Sequence, residues 1–481
     1  MNELPEQKTS PANGAPANNF SAEPSVVPAA DAASATASAA LTVSAPRRHI
    51  VWIDCARWVA MFLVVASHAC DPFNCSPGAA GNADFLRWGA IWGSLLRPCV
   101  PLFVMITGAL LLPVREQTLG AFYKKRIPRV LIPLLIWSAL YTFSPWIFGL
   151  IAGGDAGTAK EITTTFFPSS GFMNDGNGPA TDFVSALATL LTVPFTFNYF
   201  STHLWYVYML IGLYLYLPIF SAWVEKATLR AKFIFLGIWG VTLLLPYADA
   251  FLTPLLPFGE GYLFGTCSWN AFGLFYAFAG FNGYLLLGHV LAQATREQSV
   301  GKTLAVALPM FVAGTLFTFA GFAWVRLAGS LDNPDVFNAL SGNGGIFGAL
   351  GSLAKSLAGT QPEQLAAVAA QFQRDPMIEL FWTYCSLNVV LSAAALFMLI
   401  SKINLSVESR AARFLATLAK LGFGVYLVHY FFVGPSYMLA VKLGAPIQLQ
   451  IPLTAVFAFA ATYLVVRALY AVLPRPKIFL G

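Results

Sequence analysis

The stretch that decides the fold is VWIDCARWVAMFLVVASHAC, residues 51–70. It is long and apolar enough to cross a bilayer as a helix, which needs about 20 residues. It nevertheless carries three ionisable side chains, Asp54, Arg57 and His68. Such side chains are costly in hydrocarbon unless they face a partner, a cavity or a ligand. The stretch therefore predicts a membrane-spanning helix that carries a functional site.

The spacing of these residues places them along one face of that helix. Arg57 and His68 are eleven positions apart, so they return to within roughly 20° of one direction and lie about 16 Å apart along the axis. Asp54 lies one turn before Arg57 on the same side. Two interpretations stay open. Asp54 and Arg57 form a structural pair while His68 anchors the outer end, or the stripe serves catalysis.

The composition of the chain is that of a polytopic membrane protein. Of its 481 residues, 57% are hydrophobic and 10% are charged, whereas soluble domains carry about 25% charged residues. We therefore expect an all-α bundle. The net charge of +6 comes from short segments between helices, which does not indicate a nucleic-acid partner. Six scattered cysteines are neither a disulfide framework nor a metal cluster.

Ten apolar segments predict ten transmembrane helices, and the half-apolar stretch 184–200 is either an interfacial segment or an eleventh crossing. They lie near residues 50–70, 89–113, 130–150, 203–223, 232–247, 270–293, 303–325, 379–400, 415–440 and 449–473. Residues 1–46 are rich in Ala, Pro and Ser and predict a disordered tail without a cleaved signal peptide. Residues 47–475 then form the transmembrane domain.

The distribution of lysine and arginine predicts the orientation. Alternate interhelical segments on the Arg47 side hold most of the positive charge, which places both termini in the cytoplasm. Two long loops, 151–202 and 326–378, then lie outside the cell's inner membrane. Within the second, SGNGGIFGALG at 341–351 lacks the strand and the Lys-Ser/Thr of a phosphate loop, so we expect a flexible loop there. Residues 361–373 have helical spacing and predict a small cap helix.

A second basic feature lies between the second and third predicted spans, in FYKKRIPRVLIP. Lys125, Arg126 and Arg129 stand about one turn apart at the inner surface. Two arginines at this spacing suit a phosphate group, which a guanidinium grips bidentately. The alternative is that these residues are the ordinary topology signal and contact anionic lipid.

Together these features fit acyl transfer from a phosphorylated carrier. A carrier held by Arg126, Arg129 and Arg57 would extend a pantetheine arm along the first helix to His68. His68 would then act as a general base on an acceptor hydroxyl. Asp71, three residues on, is placed to orient the imidazole, or else it only faces water. No serine or cysteine nucleophile motif is present, which favours direct transfer.

Five segments of the chain resemble the integral-membrane acyltransferase family 3. They are the Arg57 and His68 spacing, the ArgPro…ProLeuPhe…ThrGlyAlaLeuLeuLeu run, Arg126-x-x-Arg129 with ProLeuLeuIleTrpSer, the HisLeuTrpTyrValTyr segment from residue 203 and GlyValTyrLeuValHis at 424–429. The resemblance covers about residues 50–473.

The resemblance implies transfer of an acyl group, usually acetyl, from cytoplasmic acyl-CoA to a hydroxyl of a cell-surface or lipid-linked glycan. It implies His68 as the catalytic residue, Arg57 as its motif partner and Arg126 with Arg129 in donor binding. Bacterial sugar O-acetyltransferases look nearest. The sequence departs from some relatives, which carry a fused extracytoplasmic hydrolase-like domain that is not found here. If acceptor handling depends on that domain in those relatives, a separate partner or the 326–378 insert must substitute for it.

The remaining histidines have competing interpretations. His203, with Trp205 and Tyr208, is either part of an interfacial aromatic belt or an acceptor contact, since aromatic rings also stack on sugars. His429 is predicted to be a hydrogen-bonded packing residue, with a catalytic role as the alternative. His289 is predicted to be a packing or snorkelling residue.

Cysteines, glycines and prolines in the spans carry structural predictions. Cys70 and Cys75 are close enough in sequence to form a disulfide in an oxidising compartment. Pro98 and Pro101 predict a kink in the second span. Glycines that permit close helix packing are predicted at positions Gly108, Gly280, Gly283 and Gly288.

Two other functions are compatible with buried charges in a helical bundle. One is a transporter that exports a sugar or a lipid-linked intermediate. The other is an acyltransferase that acts on a lipid, a peptide or a small molecule. We expect acetyl-CoA as the donor substrate, no metal and no nucleic acid.

Overall fold

The structure, a computed structural model, describes residues 50–481 except 77, 116–117, 169–181, 253–262, 268–269, 343, 360, 374–376 and 378. The predicted disordered tail, residues 1–46, lies outside this part of the chain. The first half of the described helices follow in the order α1 (Val51–His68), α2 (Asp71–Asn74), α3 (Ala83–Leu96), α4 (Cys99–Leu111), α5 (Leu119–Ile151), α6 (Ala156–Phe166), α7 (Phe183–Thr192), α8 (Trp205–Lys226), α9 (Leu229–Thr242) and α10 (Leu245–Phe251).

The second half of the chain continues the helical pattern. Its helices are α11 (Asn282–Glu297), α12 (Val300–Ala328), α13 (Pro334–Ser341), α14 (Gly345–Ala358), α15 (Pro362–Phe372), α16 (Leu387–Ser401), α17 (Arg410–Val428), α18 (Tyr430–Lys442), α19 (Ile447–Val472) and α20 (Pro476–Leu480). Within the described residues, strand-like pairing is limited to one isolated bridge between Cys267 and Asn270.

Eight stretches of described helix are long and apolar enough to cross a membrane. They are Val51–Asn74, Ala83–Leu111, Leu119–Ile151, Phe200–Lys226, Leu229–Phe251, Val300–Ala328, Arg410–Val428 and Ile447–Val472. Each corresponds to one of the predicted spans. The prediction of an all-α bundle is therefore confirmed, and the chain is a multi-pass membrane protein.

The other two predicted spans, 270–293 and 379–400, contain helices shorter than 18 residues. The helix in the first starts only at Asn282, because Gly280 has a φ of +88°, which helical backbone does not allow. The helix in the second starts only at Leu387, after the extended residue Ser386. Both helices bury many of their residues in the bundle.

Two glycines allow α4 and α11 to approach very closely. A Cβ atom at Gly108 would lie 1.9 Å from the carbonyl oxygen of Leu285, and one at Gly288 would lie 2.1 Å from that of Met105. Gly283 likewise packs against Trp239. Close packing is confirmed at these three glycines. The prediction of close packing is wrong for Gly280, because a Cβ there would meet open space. This glycine instead supplies the turn before α11.

The predicted kink in the second span is confirmed. α3 ends at Leu96 and α4 begins at Cys99, so the helix breaks at Arg97 and Pro98. Proline lacks the N–H that a continuous helix needs, and its ring crowds the preceding turn.

The insert after α12 is more ordered than the sequence indicates. The expectation of a flexible loop at 341–351 is wrong for its second half, because α14 begins at Gly345 and continues to Ala358. Positive φ values at Gly344 and Gly345 make the turn into this helix, which buries Phe347 and Ala354. The predicted cap helix at 361–373 is confirmed as α15.

The predicted disulfide between Cys70 and Cys75 is not formed, since both cysteines are free thiols. Cys70 is buried and directs its Sγ to the carbonyl oxygen of Ala66, 3.6 Å away, within its own helical turn. That orientation turns the sulfur towards α1.

Candidate active site

The first helix holds the predicted stripe in one continuous segment. Arg57 and His68 both lie in α1, and His68 is its last residue. Because eleven residues separate them, the two side chains start about 16 Å apart along the axis. We call the two ends of the bundle the arginine end, marked by Arg57, and the histidine end, marked by His68.

Arg57 pairs with the preceding acidic residue. Its Nη1 donates to Asp54 Oδ1 at 3.1 Å. Asp54 is buried, whereas 41% of the Arg57 side chain remains exposed. Asp54 and Arg57 therefore form the pair that the structural interpretation predicts. The Arg57 side chain is only partly covered by this contact.

His68 is oriented by the short helix that follows it. α2 begins at Asp71, and Pro72 occupies its first turn. Nδ1 of His68 lies 3.1 Å from Asp71 Oδ2. Nδ1 can donate a hydrogen bond to this carboxylate, which leaves Nε2 as the ring nitrogen outside the contact. Asp71 thus fixes the orientation of the imidazole.

Three histidines from distant parts of the chain meet at the histidine end. The ring centroid of His68 lies 5.2 Å from that of His429 and 6.2 Å from that of His203. His203 and His429 are themselves 5.2 Å apart. Tyr430 closes the group, at 5.2 Å from His68 and 4.9 Å from His203. We refer to these four residues as the histidine cluster.

The histidine cluster forms where helices end. His68 ends α1, His203 lies in the 3-10 turn Tyr199–Leu204 before α8, and His429 separates α17 from α18. These breaks let the rings converge instead of following separate helix faces.

Burial separates His68 from the other two histidines. His68 keeps 24% of its side chain exposed, while His203 and His429 keep 2% and 0%. A substrate that reaches the cluster would therefore meet His68. The other two rings form the wall behind it.

A second set of contacts fixes that wall. His429 Nδ1 donates to the backbone carbonyl of Tyr426 at 2.7 Å, and Tyr426 in turn donates its hydroxyl to the carbonyl of His203. Nε2 of His429 has no hydrogen-bond partner among the described residues. The burial of His429 and its backbone hydrogen bond agree with the predicted packing role, whereas its contact with His68 is an addition to that prediction. The motif GlyValTyrLeuValHis was the available signal.

The arginine end collects the predicted donor-binding residues. Arg126 lies over the ring of Phe122, with its guanidinium carbon 4.4 Å from the ring centroid. Arg57, Arg126 and Arg129 all lie near enough to the hydroxyl of Tyr214 to interact with it electrostatically. Lys125 is exposed in the same turn of α5. Residues from α1 and α5 thus give this end a concentration of positive charge.

The three predicted acceptor residues have different neighbours. His203 belongs to the histidine cluster. Trp205 stacks on Tyr384 with ring centroids 5.6 Å apart. The Tyr208 hydroxyl lies 2.5 Å from the carbonyl oxygen of Val193. Among the three, only His203 makes a ring contact with His68.

No group of three or more His, Cys, Asp and Glu side chains in the described part of the chain is arranged to hold a metal ion.

One comparison with known proteins finds a match. A family described as an acyltransferase domain, acyltransferase family 3, matches residues 50–471, which is most of the chain. The comparisons with curated proteins and with solved structures find no match.

Proposed function

The chain belongs to the integral-membrane acyltransferase family 3 and is an acyltransferase, and we propose that it moves an acetyl group from cytoplasmic acetyl-CoA to a hydroxyl of a glycan. The observation that carries this proposal is the stripe of α1. It presents an exposed arginine and, about 16 Å away, an imidazole oriented by Asp71 at 3.1 Å. Family membership favours the enzyme over the transporter.

The donor is proposed to bind at the arginine end. Arg126 and Arg129 would contact phosphates of the nucleotide part of coenzyme A, with Lys125 beside them and Arg57 at the start of the pantetheine arm. Guanidinium groups suit this task because they stay charged and bind phosphate through two parallel hydrogen bonds. The arm would follow α1 to place the thioester at His68.

The proposed reaction is a direct transfer at His68. Nε2 takes the proton of the acceptor hydroxyl as its oxygen attacks the thioester carbonyl. The carbon–sulfur bond then breaks, and the coenzyme A thiolate takes the proton from the imidazolium. The products are an acetyl ester and free coenzyme A. Asp71 stabilises the positive charge that His68 gains, and Asp54 positions Arg57.

The acceptor is proposed to be a cell-surface or lipid-linked glycan at the outer face of the cytoplasmic membrane, with both termini of the chain inside. The supporting argument is the excess of lysine and arginine on one set of interhelical segments. This orientation places the histidine end outward, where His203, Trp205 and Tyr208 are the proposed acceptor contacts. A lipid, peptide or small-molecule acceptor is the alternative.

The test is an assay in reconstituted vesicles. Purified protein receives radiolabelled acetyl-CoA together with lipid-linked glycans extracted from the source's cell envelope. We expect a labelled, alkali-sensitive ester that the His68→Asn variant does not form. His289→Asn, a buried histidine outside the histidine cluster, is the matched control and should keep its activity. Ester formation by His68→Asn would overturn the proposed role of His68, and glycan movement without any ester would support transport.

A further inference from the structure

A cavity of about 720 Å³ lies at the histidine end, beside the catalytic residues rather than within the histidine cluster. One wall comes from the end of α2 and the segment after it, and the other comes from the end of α12 and the residues that follow. The polar residues that line it include Asn74, Ser76, Arg326, Ser330, Asp332 and Gln373. The proposed reaction does not use these residues.

Among the residues that the structure describes, no acidic side chain pairs with Arg326 in this wall. Arg326 is 9% exposed and lies in the last turn of α12. Its Nη2 makes one long hydrogen bond, 3.4 Å, to the carbonyl oxygen of Asn74, and its guanidinium carbon lies 4.7 Å from the ring centroid of Phe322. Nε has no hydrogen-bond partner, and no described carboxylate forms a salt bridge with the side chain.

Such an arrangement costs free energy unless an anion completes it. Removing a guanidinium from water without a counter-charge carries a large desolvation penalty. The carbonyl groups at the end of a helix recover only a small part of that penalty for a cation in the last turn. The position of Arg326 is therefore best explained by a ligand that brings negative charge into the cavity.

Asn74 on the opposite wall contributes shape and not a ligand contact through its amide. Its Oδ1 and Nδ2 have no partner among the described residues, but both atoms are enclosed. The amide lies against Gly89 of α3, where an added Cβ would come within 2.4 Å of Oδ1. Arg326 is therefore the side chain that supplies a charged contact to the cavity.

The cavity adjoins the proposed site of acyl transfer. α2 is a single turn that runs from Asp71 to Asn74. Asp71 contacts His68, and Asn74 contacts Arg326. An anion held by Arg326 would thus lie one helical turn beyond the His68–Asp71 pair. The proposed phosphate contacts of the donor lie at the arginine end, which leaves this cavity to the acceptor.

We propose that this cavity binds an anionic group, a phosphate or a carboxylate, carried by the acceptor, with Arg326 as its charge partner. This inference rests on the proposed function, because it assigns the acceptor's side of the same reaction. The carboxylate of Asp332 does not argue against it. That group is exposed and accepts a hydrogen bond from Gln373 Nε2 at 3.1 Å.

The test measures binding without catalysis. Purified full-length protein in lipid nanodiscs is titrated with glucose 1-phosphate, glucuronate and glucose by calorimetry. We expect at least one of the two anionic sugars to bind at least about tenfold more tightly than glucose, as a contact to a charged group predicts. The tighter of the two identifies the anion as phosphate or carboxylate. Equal affinity for all three sugars would overturn the proposal.

Variants assign the binding to the cavity. Arg326→Gln should weaken binding of the preferred anionic sugar at least about tenfold, and Arg326→Lys should retain part of it. The matched control is Arg87→Gln, since Arg87 already pairs with Asp84 at 3.0 Å and does not line the cavity. Unchanged binding in Arg326→Gln, or an equal loss in Arg87→Gln, would overturn the proposal.

A second variant covers the case in which Arg326→Gln does not fold. Asp332→Asn removes an exposed negative charge from the cavity and should tighten anion binding by about twofold, whereas a merely structural cavity would show no gain. The titration is repeated with His68→Asn. That variant should bind the anionic sugar normally, so a failure of this inference is distinguishable from a failure of the proposed acyl transfer.

Discussion

Replacement of Asp71 by asparagine tests how His68 is prepared for catalysis. The carboxylate accepts the Nδ1 proton of His68 at 3.1 Å, and the two side chains are 15% and 24% exposed. Asparagine is nearly the same size but carries no charge. In the proposed reaction it would therefore not stabilise the imidazolium that His68 forms on taking a proton, and its amide could instead donate to Nδ1 and favour the other tautomer.

The expected loss follows from the geometry of this contact. A hydrogen bond to a charged group is worth about 1.5–3 kcal/mol, and the partial exposure of both groups keeps the Coulomb energy below the approximately 4 kcal/mol of a near-surface pair. We therefore expect kcat to fall about 10- to 150-fold. The donor KM should stay unchanged, because Asp71 lies at the opposite end of α1 from the proposed phosphate contacts.

The assay is initial-rate acetyl transfer at varied acetyl-CoA, with thermal unfolding of each variant as a check on folding. Asp84→Asn is the matched control, since that carboxylate pairs with Arg87 and its side chain is 53% exposed. Its kcat should equal that of the unmodified protein. The reasoning is refuted if Asp71→Asn keeps its full kcat, or if its defect appears only as a higher donor KM.

Two further predictions concern donor binding and helix packing. Arg126→Ala and Arg129→Ala should each raise the donor KM about 10- to 150-fold, because a lost contact to phosphate costs about 1.5–3 kcal/mol. The dependence of the rate on acceptor concentration should stay unchanged. If the donor kinetics do not change, these arginines are topology signals only. Gly288→Ala should destabilise the bundle by about 1–3 kcal/mol, because its Cβ would lie 2.1 Å from the Met105 carbonyl oxygen. In thermal unfolding, Gly212→Ala, whose Cβ meets open space, should show no such loss, and equal stability of both variants would contradict the packing argument.

Most of the architecture is predictable from local patterns in the chain. Runs of apolar residues mark the segments that cross the membrane. Such segments become helices, because a helix satisfies its backbone polar groups within the segment itself. The stripe of Arg57 and His68 follows from helical geometry alone. The contact between His68 and Asp71 was also within reach, because the two residues are three positions apart.

Contacts between distant segments were not predictable in the same way. His203 and His429 meet His68 only after three helices have packed, and spacing within one helix carries no information about such a meeting. The same limit applies to Arg326 and Asn74, which lie 252 positions apart. The helix at Gly345–Ala358 was missed for a different reason. Its glycines favour a loop locally, but packing against the rest of the bundle outweighs that preference.

The most direct test of the account is a cryo-electron microscopy structure with a non-reactive acetyl-CoA analogue in which the thioester sulfur is replaced. We expect room beside His68 Nε2 for an acceptor hydroxyl, and we expect the acetyl carbonyl carbon to lie within about 4 Å of the position of that hydroxyl. The phosphates should lie at Arg126 and Arg129. An analogue bound with its acetyl group away from His68, or with its phosphates away from both arginines, would contradict the account.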